Sequence, residues 1–520
     1  MKKIRILSLL LILVMVLGLF AGCKPQQSAS LTDDESKQVT LRWVFPWSTQ
    51  RDLSLVNAEI NKILGDYLPN TQLEIICEPG MADKWQLWMA GQTSFDIAHT
   101  GFSNDLLTEI NKDSFLELDE LIENYAPTIK EEMTGLYSDL YDTGKYDGKL
   151  YGIPCIQYHI KETKGLTFSK GVVEYLDVAA LKEETWNNPK TGEKFYQIID
   201  EFLQTAEAQK GKISLDMREL WKNGIFKRGY TFIGGADSNL CYDTYADEVK
   251  IIDFYTTEEF KLWMQYARKW YEAGYISKDI LTGTGVGGTS TIGGMGGVYT
   301  SRHGMDENGL ISSATSGAGY TTMVIDNPAN DVRTSYNVGS LLTYLSIPIT
   351  AENPARAMRL IELLRSEEGQ PILNMIAYGI EGTHYEKTGE NSIKAFDYEG
   401  QGNSNSAYGI ANWMVGNMFN AYTCSPFTDS VVNYGRNYYE NVLPNTAKHA
   451  LYGYCFNTDK VQLKMNQLLT NNSEYGIQLA FGTLSDYQKT YETLMARNET
   501  AGIADVIAEL QSQADAYIGK

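Results

Sequence analysis

The side chains best suited to do chemistry in this sequence are aromatic: 34 Tyr, 17 Phe and 9 Trp in 520 residues. Ring faces flanked by Asp, Glu, Asn, His or backbone groups suit flat, hydroxyl-rimmed ligands such as saccharides. Most of these rings must still serve the core. Trp85, Trp88, Trp263 and Trp270 fall on helical stripes and are read as packing residues. Trp47 differs, because it follows a strand end and Pro46. With Ser48, and with His99, Thr100 and Gly101 after a later strand, it forms the first set of candidate ligand contacts.

Catalytic patterns are weak by comparison. The five histidines (His99, His159, His303, His384, His449) show no metal-ligand spacing, and neither Gly-x-Ser-x-Gly nor His-Glu-x-x-His occurs. A glycosidase needs two carboxylates about 5 to 9.5 Å apart, and with 65 acidic residues such a pair can always be imagined. Gly283-Thr284-Gly285-Val286-Gly287-Gly288 formally matches a dinucleotide fingerprint. It is too rich in Gly and Thr to open a helix well, and it reads as a loop. No catalytic residue, metal or cofactor is therefore expected.

The candidates must be positioned by alternating strands and helices. Val39, Leu41, Trp43 and Phe45 alternate along a strand that breaks at Pro46. Leu53, Val56, Ile60 and Ile63 recur at helical spacing, with Gly65 as the expected stop. A strand through Leu73, Ile75 and Cys77, a helix through Trp85, Trp88 and Met89 ending near Gly91, and a strand from Phe95 to Ala98 complete the pattern. Such an order implies right-handed crossovers and a parallel sheet, with ligands at the loops beyond the strands' carboxyl ends. Those loops are 46–49 and 99–102. Asp96 is read as fixing a local turn.

The N-terminus carries a different kind of information. Lys2, Lys3 and Arg5 precede an apolar run from Ile6 to Phe20, then Ala21, Gly22 and Cys23. The run is short for a bilayer span of about 20 residues, so residues 1–22 read as a cleaved signal peptide. The formal charge of −21 becomes −24 once Lys2, Lys3 and Arg5 leave with it, which disfavours nucleic acid as a partner. The other cysteines (Cys77, Cys155, Cys241, Cys424, Cys455) lack paired spacing and are expected to be buried thiols.

Leu19-Phe20-Ala21-Gly22-Cys23 resembles the bacterial lipobox, with Phe20 where the pattern prefers Leu. The resemblance implies that Cys23 is acylated and that residues 23–38 form a lipid-anchored tether. Phe95-Asp96-Ile97, Phe115 to Ile122, and Tyr146-Asp147-Gly148-Lys149-Leu150-Tyr151-Gly152-Ile153-Pro154 are, in order and spacing, similar to family 1 extracellular solute-binding proteins, the maltose-binding-protein group. Asp147-Gly148 suits a tight turn between strands. Trp270 to Asp279, and Asn353-Pro354 ahead of the stripe Met358, Ile361, Leu364, continue the likeness. The segments Tyr378 to Tyr385, Trp413 with Gly416-Asn417, Gly453 to Phe456 and Ala508 to Tyr517 resemble the LplA-like lipoproteins of oligosaccharide importers, with Tyr517 where Trp is usual.

What the resemblance implies is an α/β, two-lobed, periplasmic-binding-protein-like fold with crossing segments between lobes and an α-rich C-terminal part. Lobe 1 is expected over 39–154 and 340–380, and lobe 2 over 155–339 and 381–520. Ligand would lie between the lobes and be trapped by hinge closure. Tyr158, Tyr378, Glu381, His384, Trp413 and Asn417 join the candidate ligand contacts. The implied role is capture of an oligosaccharide or similar solute for ABC transporter permease subunits, at the extracytoplasmic face of a bacterial membrane, as a monomer. The alternatives are an exported carbohydrate-active enzyme of glycoside hydrolase type and an anchored scaffold, the latter disfavoured by the absence of low-complexity repeats.

Overall fold

A computed structural model describes residues 31–158, 163–169, 171–234, 237–282, 294–300, 302, 304–313, 320–333, 343–396, 407–424, 429–454 and 456–519. Cys23 with its signal peptide, Cys455 and the Gly283–Gly288 stretch lie outside them. The chain divides into two compact units, with boundaries after Ile156, Ser340 and Tyr422.

The first unit is built on a five-stranded sheet. Strand β1 (Val39–Phe45) pairs in parallel with β2 (Thr71–Cys77) in the register Val39↔Thr71 to Phe45↔Cys77, and with β3 (Ile97–Gly101) at Trp43↔Ile97. Helices α1 (Leu53–Tyr67) and α2 (Met81–Ala90) make the crossovers. Beyond β3 the sheet turns antiparallel. β5 (Thr343–Ser346), from the chain's return, pairs with β3 at Thr343↔Gly101 and with the short β4 (Ile153–Pro154), giving the order β2-β1-β3-β5-β4. Leu41, Trp43, Val44 and Phe45 are all buried, so β1 is central and covered on both faces.

Three local expectations shift. Helix α1 runs past Gly65 to Tyr67, its Leu68 N–H closing on Leu64 O, and stops before Pro69. Asp96 does more than fix a turn: its carboxylate accepts from Arg42 N (3.0 Å) and Asn353 N (2.8 Å), joining β1 to the start of α4 (Pro354–Leu363). Residues 31–38, expected within a free tether, are docked. Leu31 packs on the core, and Asp33 pairs with Arg356 (2.8 Å) and Arg359 (2.6 Å). Tyr125, the last residue of α3 (Asp119–Tyr125), accepts from Asp33 N through its hydroxyl. Two expectations hold: Asp147 and Gly148, at φ of 49° and 79°, turn between paired Lys145–Tyr146 and Lys149–Leu150, and Pro354 opens α4 with Met358, Ile361 and Leu364 buried.

The unit boundary also departs from expectation, because residues 381–422 belong to the first unit. Helix α5 (Gln370–Tyr378) and the segment after it are stitched to the same core. Ile410 N donates to Ala377 O, Ile156 N to Gly416 O and Met418 N to Ile156 O. Tyr408, Ile410, Met414 and Val415 are buried there.

In the second unit, strand Thr163–Ser169 lies between Tyr320–Val324 and Gly294–Thr300, antiparallel to both, with Leu310–Ser313 and Ser214–Leu215 at the edges. Helices Glu193–Lys210 and Glu258–Glu272 cover it through Phe195, Ile199, Phe202, Trp263 and Trp270. The C-terminal helices Gln462–Asn471, Tyr487–Thr500 and Ile503–Tyr517 gather a further core around Tyr242, Leu451, Met465, Val506 and Leu510.

Candidate functional site

In the first unit, the loops leaving β1 and β3 emerge at the same end of the sheet, the carboxyl end of its parallel strands. Trp47 stands just beyond β1 and Phe102 just beyond β3. Trp413 reaches the same place from the short helical turn Asn412–Met414. The Trp47 and Trp413 rings meet edge-on at 6.3 Å, Phe102 lies 5.6 Å from Trp413, and His99 lies 5.2 Å from Phe102. Four rings therefore run as one row. Trp47 is held by its indole N–H on Gly409 O (2.9 Å), and Gln50 Oε1 accepts from Gly409 N, so the β1 loop and the 407–413 segment are fixed to each other.

His99, Thr100 and Gly101 were expected in a loop but form the end of β3, opposite Leu345, Tyr344 and Thr343. The loop proper is 102–105. There Asn104 O accepts both Gly101 N (2.8 Å) and the Thr100 hydroxyl (2.7 Å), and Asp105 caps the next helical turn through Thr108 N. The backbone of Asn104 is thus fixed while its side-chain amide, buried, has no hydrogen-bond partner. The same holds for Ser103 Oγ and for both ring nitrogens of His99, which is fully buried. Burial alone drives the His99 pKa down to about 3, so the ring is neutral. Buried polar atoms without partners are costly and rare in native structures. Phe102, in contrast, exposes 45% of its surface.

Several of the remaining candidates already have partners within the fold. Tyr378 donates its hydroxyl to Tyr422 O (2.7 Å) and accepts from Asn412 Nδ2 (2.8 Å). His384 Nδ1 accepts from Ile380 N (2.9 Å) and Nε2 lies 3.3 Å from Asp52 Oδ2. Gly379, at φ 79°, leaves room for that ring, since a Cβ there would lie 2.5 Å from Nδ1. Glu381 is exposed and pairs with Lys387 (3.6 Å). Asn417 caps the turn Met418–Asn420 through Phe419 N. Ser48 is exposed beside Trp47. Tyr158 belongs to the second unit, fully buried beneath Gly435 of the helix Asp429–Asn437. Phe102 closed the expected 99–102 loop, but Ser103 and Asn104 were not singled out, although an aromatic followed by Ser-Asn-Asp ahead of an apolar helical run is a readable loop-and-cap signal.

The two α/β units, the parallel strands meeting an antiparallel return, and the three passages of chain between units define the fold of the two-domain extracellular solute-binding proteins. Comparison with solved structures agrees: the N-glycan transport solute-binding protein of Streptococcus pneumoniae superposes with a TM-score of 0.71 at 18% identity, covering 93% of this chain and 99% of that one. The chain thus has the fold of the extracellular solute-binding proteins. Among curated relatives, a carbohydrate ABC transporter substrate-binding protein of S. pneumoniae serotype 4 is 22% identical over 82% of this chain and 80% of its own length. The polygalacturonan/rhamnogalacturonan-binding protein YtcQ of Bacillus subtilis strain 168 is 23% identical over 73% and 74% respectively. Residues 450–519, the C-terminal helical core, match a family described as a domain of unknown function, DUF3502. No helix among the described residues is long and apolar enough to cross a membrane.

Proposed function

We propose that this protein captures an oligosaccharide on the Trp47–Trp413–Phe102 shelf and delivers it, unaltered, to the permease of an ABC importer. The observation that carries the reading is the row of rings beside buried polar groups with no partners. Ring faces and directional hydrogen bonds are what a saccharide requires. The relatives' names point the same way, as does the N-glycan transport protein's structure with bound Man5GlcNAc. Catalysis is disfavoured because the carboxylates near these candidates are already engaged: Asp52 pairs with Arg51 (2.7 Å) and faces His384, and Glu381 pairs with Lys387.

Cys23, if acylated, holds the protein at the outer face of the membrane, with more than one acyl chain needed for stable anchoring; the LplA-like likeness, permease partners and a monomeric state complete the proposal. Radiolabelled palmitate incorporation lost in Cys23→Ser tests the anchor. The central test is titration of tryptophan fluorescence with a glycan panel, followed by recovery of the glycan. Saturable binding with intact ligand, weakened by Trp47→Ala and by Trp413→Ala in folded protein, is expected. Turnover of the glycan, or normal binding by both variants, refutes the reading.

A further inference from the structure

The unpartnered polar groups of His99, Ser103 and Asn104 belong to uncharged side chains, and their chemistry narrows the ligand. His99 is neutral, so it offers one donor and one acceptor. The Asn104 amide offers two donors and an acceptor, and Ser103 a hydroxyl. A paired donor and acceptor on one planar group matches two adjacent hydroxyls of a sugar ring, which likewise donate and accept. A carboxylate can only accept, and it is held best by Arg or Lys. In this cluster no cation stands among the four residues 99, 102, 103 and 104, and the whole chain carries a formal charge of −21, which repels polyanions.

Access is the second constraint. His99 is fully buried and Asn104 is 5% exposed, while Phe102, whose ring lies beside His99, is 45% exposed and meets Trp413 in a tilted contact. The loop backbone around the ring is fixed by Asn104 O and by the Asp105 cap. A rotation of the Phe102 ring is therefore a small change that would uncover the His99 ring it touches.

We propose that Phe102 is a displaceable cover over His99, and that His99 with the neighbouring Ser103 and Asn104 selects a neutral polyhydroxylated sugar unit over a uronate. The proposal rests on the saccharide-binding reading above and adds the ligand's charge class and its recognising residues. The test is calorimetric or stopped-flow titration of the full soluble chain with neutral pentasaccharides of the manno, gluco, galacto and fructo series and with oligogalacturonate of equal length. Binding by at least one neutral series and none by the galacturonate is expected. Asn104→Ala should raise Kd at least tenfold with the melting transition unchanged. Phe102→Ala, at an exposed position, should raise the association rate severalfold. Tight binding of galacturonate, or neutral-glycan binding unaffected by Asn104→Ala, overturns the proposal while leaving saccharide capture standing. Binding of no glycan refutes both.

Discussion

Replacing Asp33 with Ala should destabilise the first unit, although a sequence reading places residue 33 in a free tether. Arg356 is 1% exposed and Asp33 8% exposed at the side chain, with Nε 2.8 Å from Oδ2. Removing one partner of a buried ion pair costs about 3–5 kcal/mol because the other charge stays buried. Here Arg356 keeps Pro69 O (2.9 Å), the Thr71 hydroxyl (2.7 Å) and Asp34 O (3.1 Å), and Arg359 keeps Glu35 (2.6 Å). Those acceptors reduce the expected loss to about 2–3 kcal/mol, or roughly 5–10 °C at 2–4 °C per kcal/mol for a domain of this size. The acid limb supplies a second check. Burial by itself would raise the Asp33 carboxyl, but the hydrogen bonds and charges of Arg356 and Arg359 outweigh it and hold the pKa below its ordinary value. A depressed carboxyl contributes stability that is present above the unfolded pKa of about 3.9 and lost as pH falls through the folded value. The Asp33→Ala difference should therefore shrink below pH 4. Differential scanning calorimetry from pH 3 to 7 measures both effects, with Lys37→Ala at an exposed position as control. If Asp33→Ala melts like the parent at pH 7, residues 31–37 are a tether after all.

Asp253 lies buried in the second unit, accepting from Asn239 Nδ2 and Tyr255 N while its Oδ2 has no partner, and burial pushes its pKa up to about 6. With the folded pKa raised, the native state binds the extra proton between about pH 4 and 6, so stability falls as pH rises through that window; Asp253→Asn should flatten this slope in urea unfolding and gain on the order of 2 kcal/mol at pH 7. An unchanged slope would refute it. Gly435→Ala should lower the second unit's melting transition by several degrees, since a Cβ there would meet Tyr158 O at 2.7 Å and Cα at 2.9 Å, backbone that cannot swing aside; a neutral result would mean the helix shifts freely. Burial pushes the thiols of Cys77 and Cys155 up to about 12 and that of Cys241 well above its usual value, so native protein at pH 8 should leave all three unmodified by iodoacetamide, as peptide mass spectrometry would show.

Periodic signals gave the sequence reading its reach. The strand through Leu41, Trp43 and Phe45, the helix ending at Gly91 and the Asp147-Gly148 turn are set by neighbours within a few residues, and each stands where the pattern put it. Errors arise where a distant segment decides. His99-Thr100-Gly101 follows a short apolar run and reads as a loop, yet pairing with Thr343–Leu345 extends the strand through it. Residues 31–38 look like linker by composition, and distant partners make them structure: Tyr125 is 92 positions from Asp33 and Arg356 is 323.

The candidate site shows the same division more sharply. A polar side chain in a loop looks equally available for ligand whether or not the fold has already used it, so Tyr378, Glu381, His384 and Asn417 could not be separated from Asn104 by residue type. What separates them is whether a partner exists. His384 has partners for both ring nitrogens and His99 for neither, and the difference comes from Asp52 and Ile380 meeting one ring while none meets the other. The aromatic row depends on long-range placement too: Trp47 is positioned by Gly409, 362 residues further along the chain. A binding surface assembled from such contacts can be ordered before ligand arrives, which limits the entropy lost on capture, while its unused hydrogen-bonding capacity remains concentrated in His99, Ser103 and Asn104. That capacity is the reason a single substitution at Asn104 should alter ligand affinity without altering the fold.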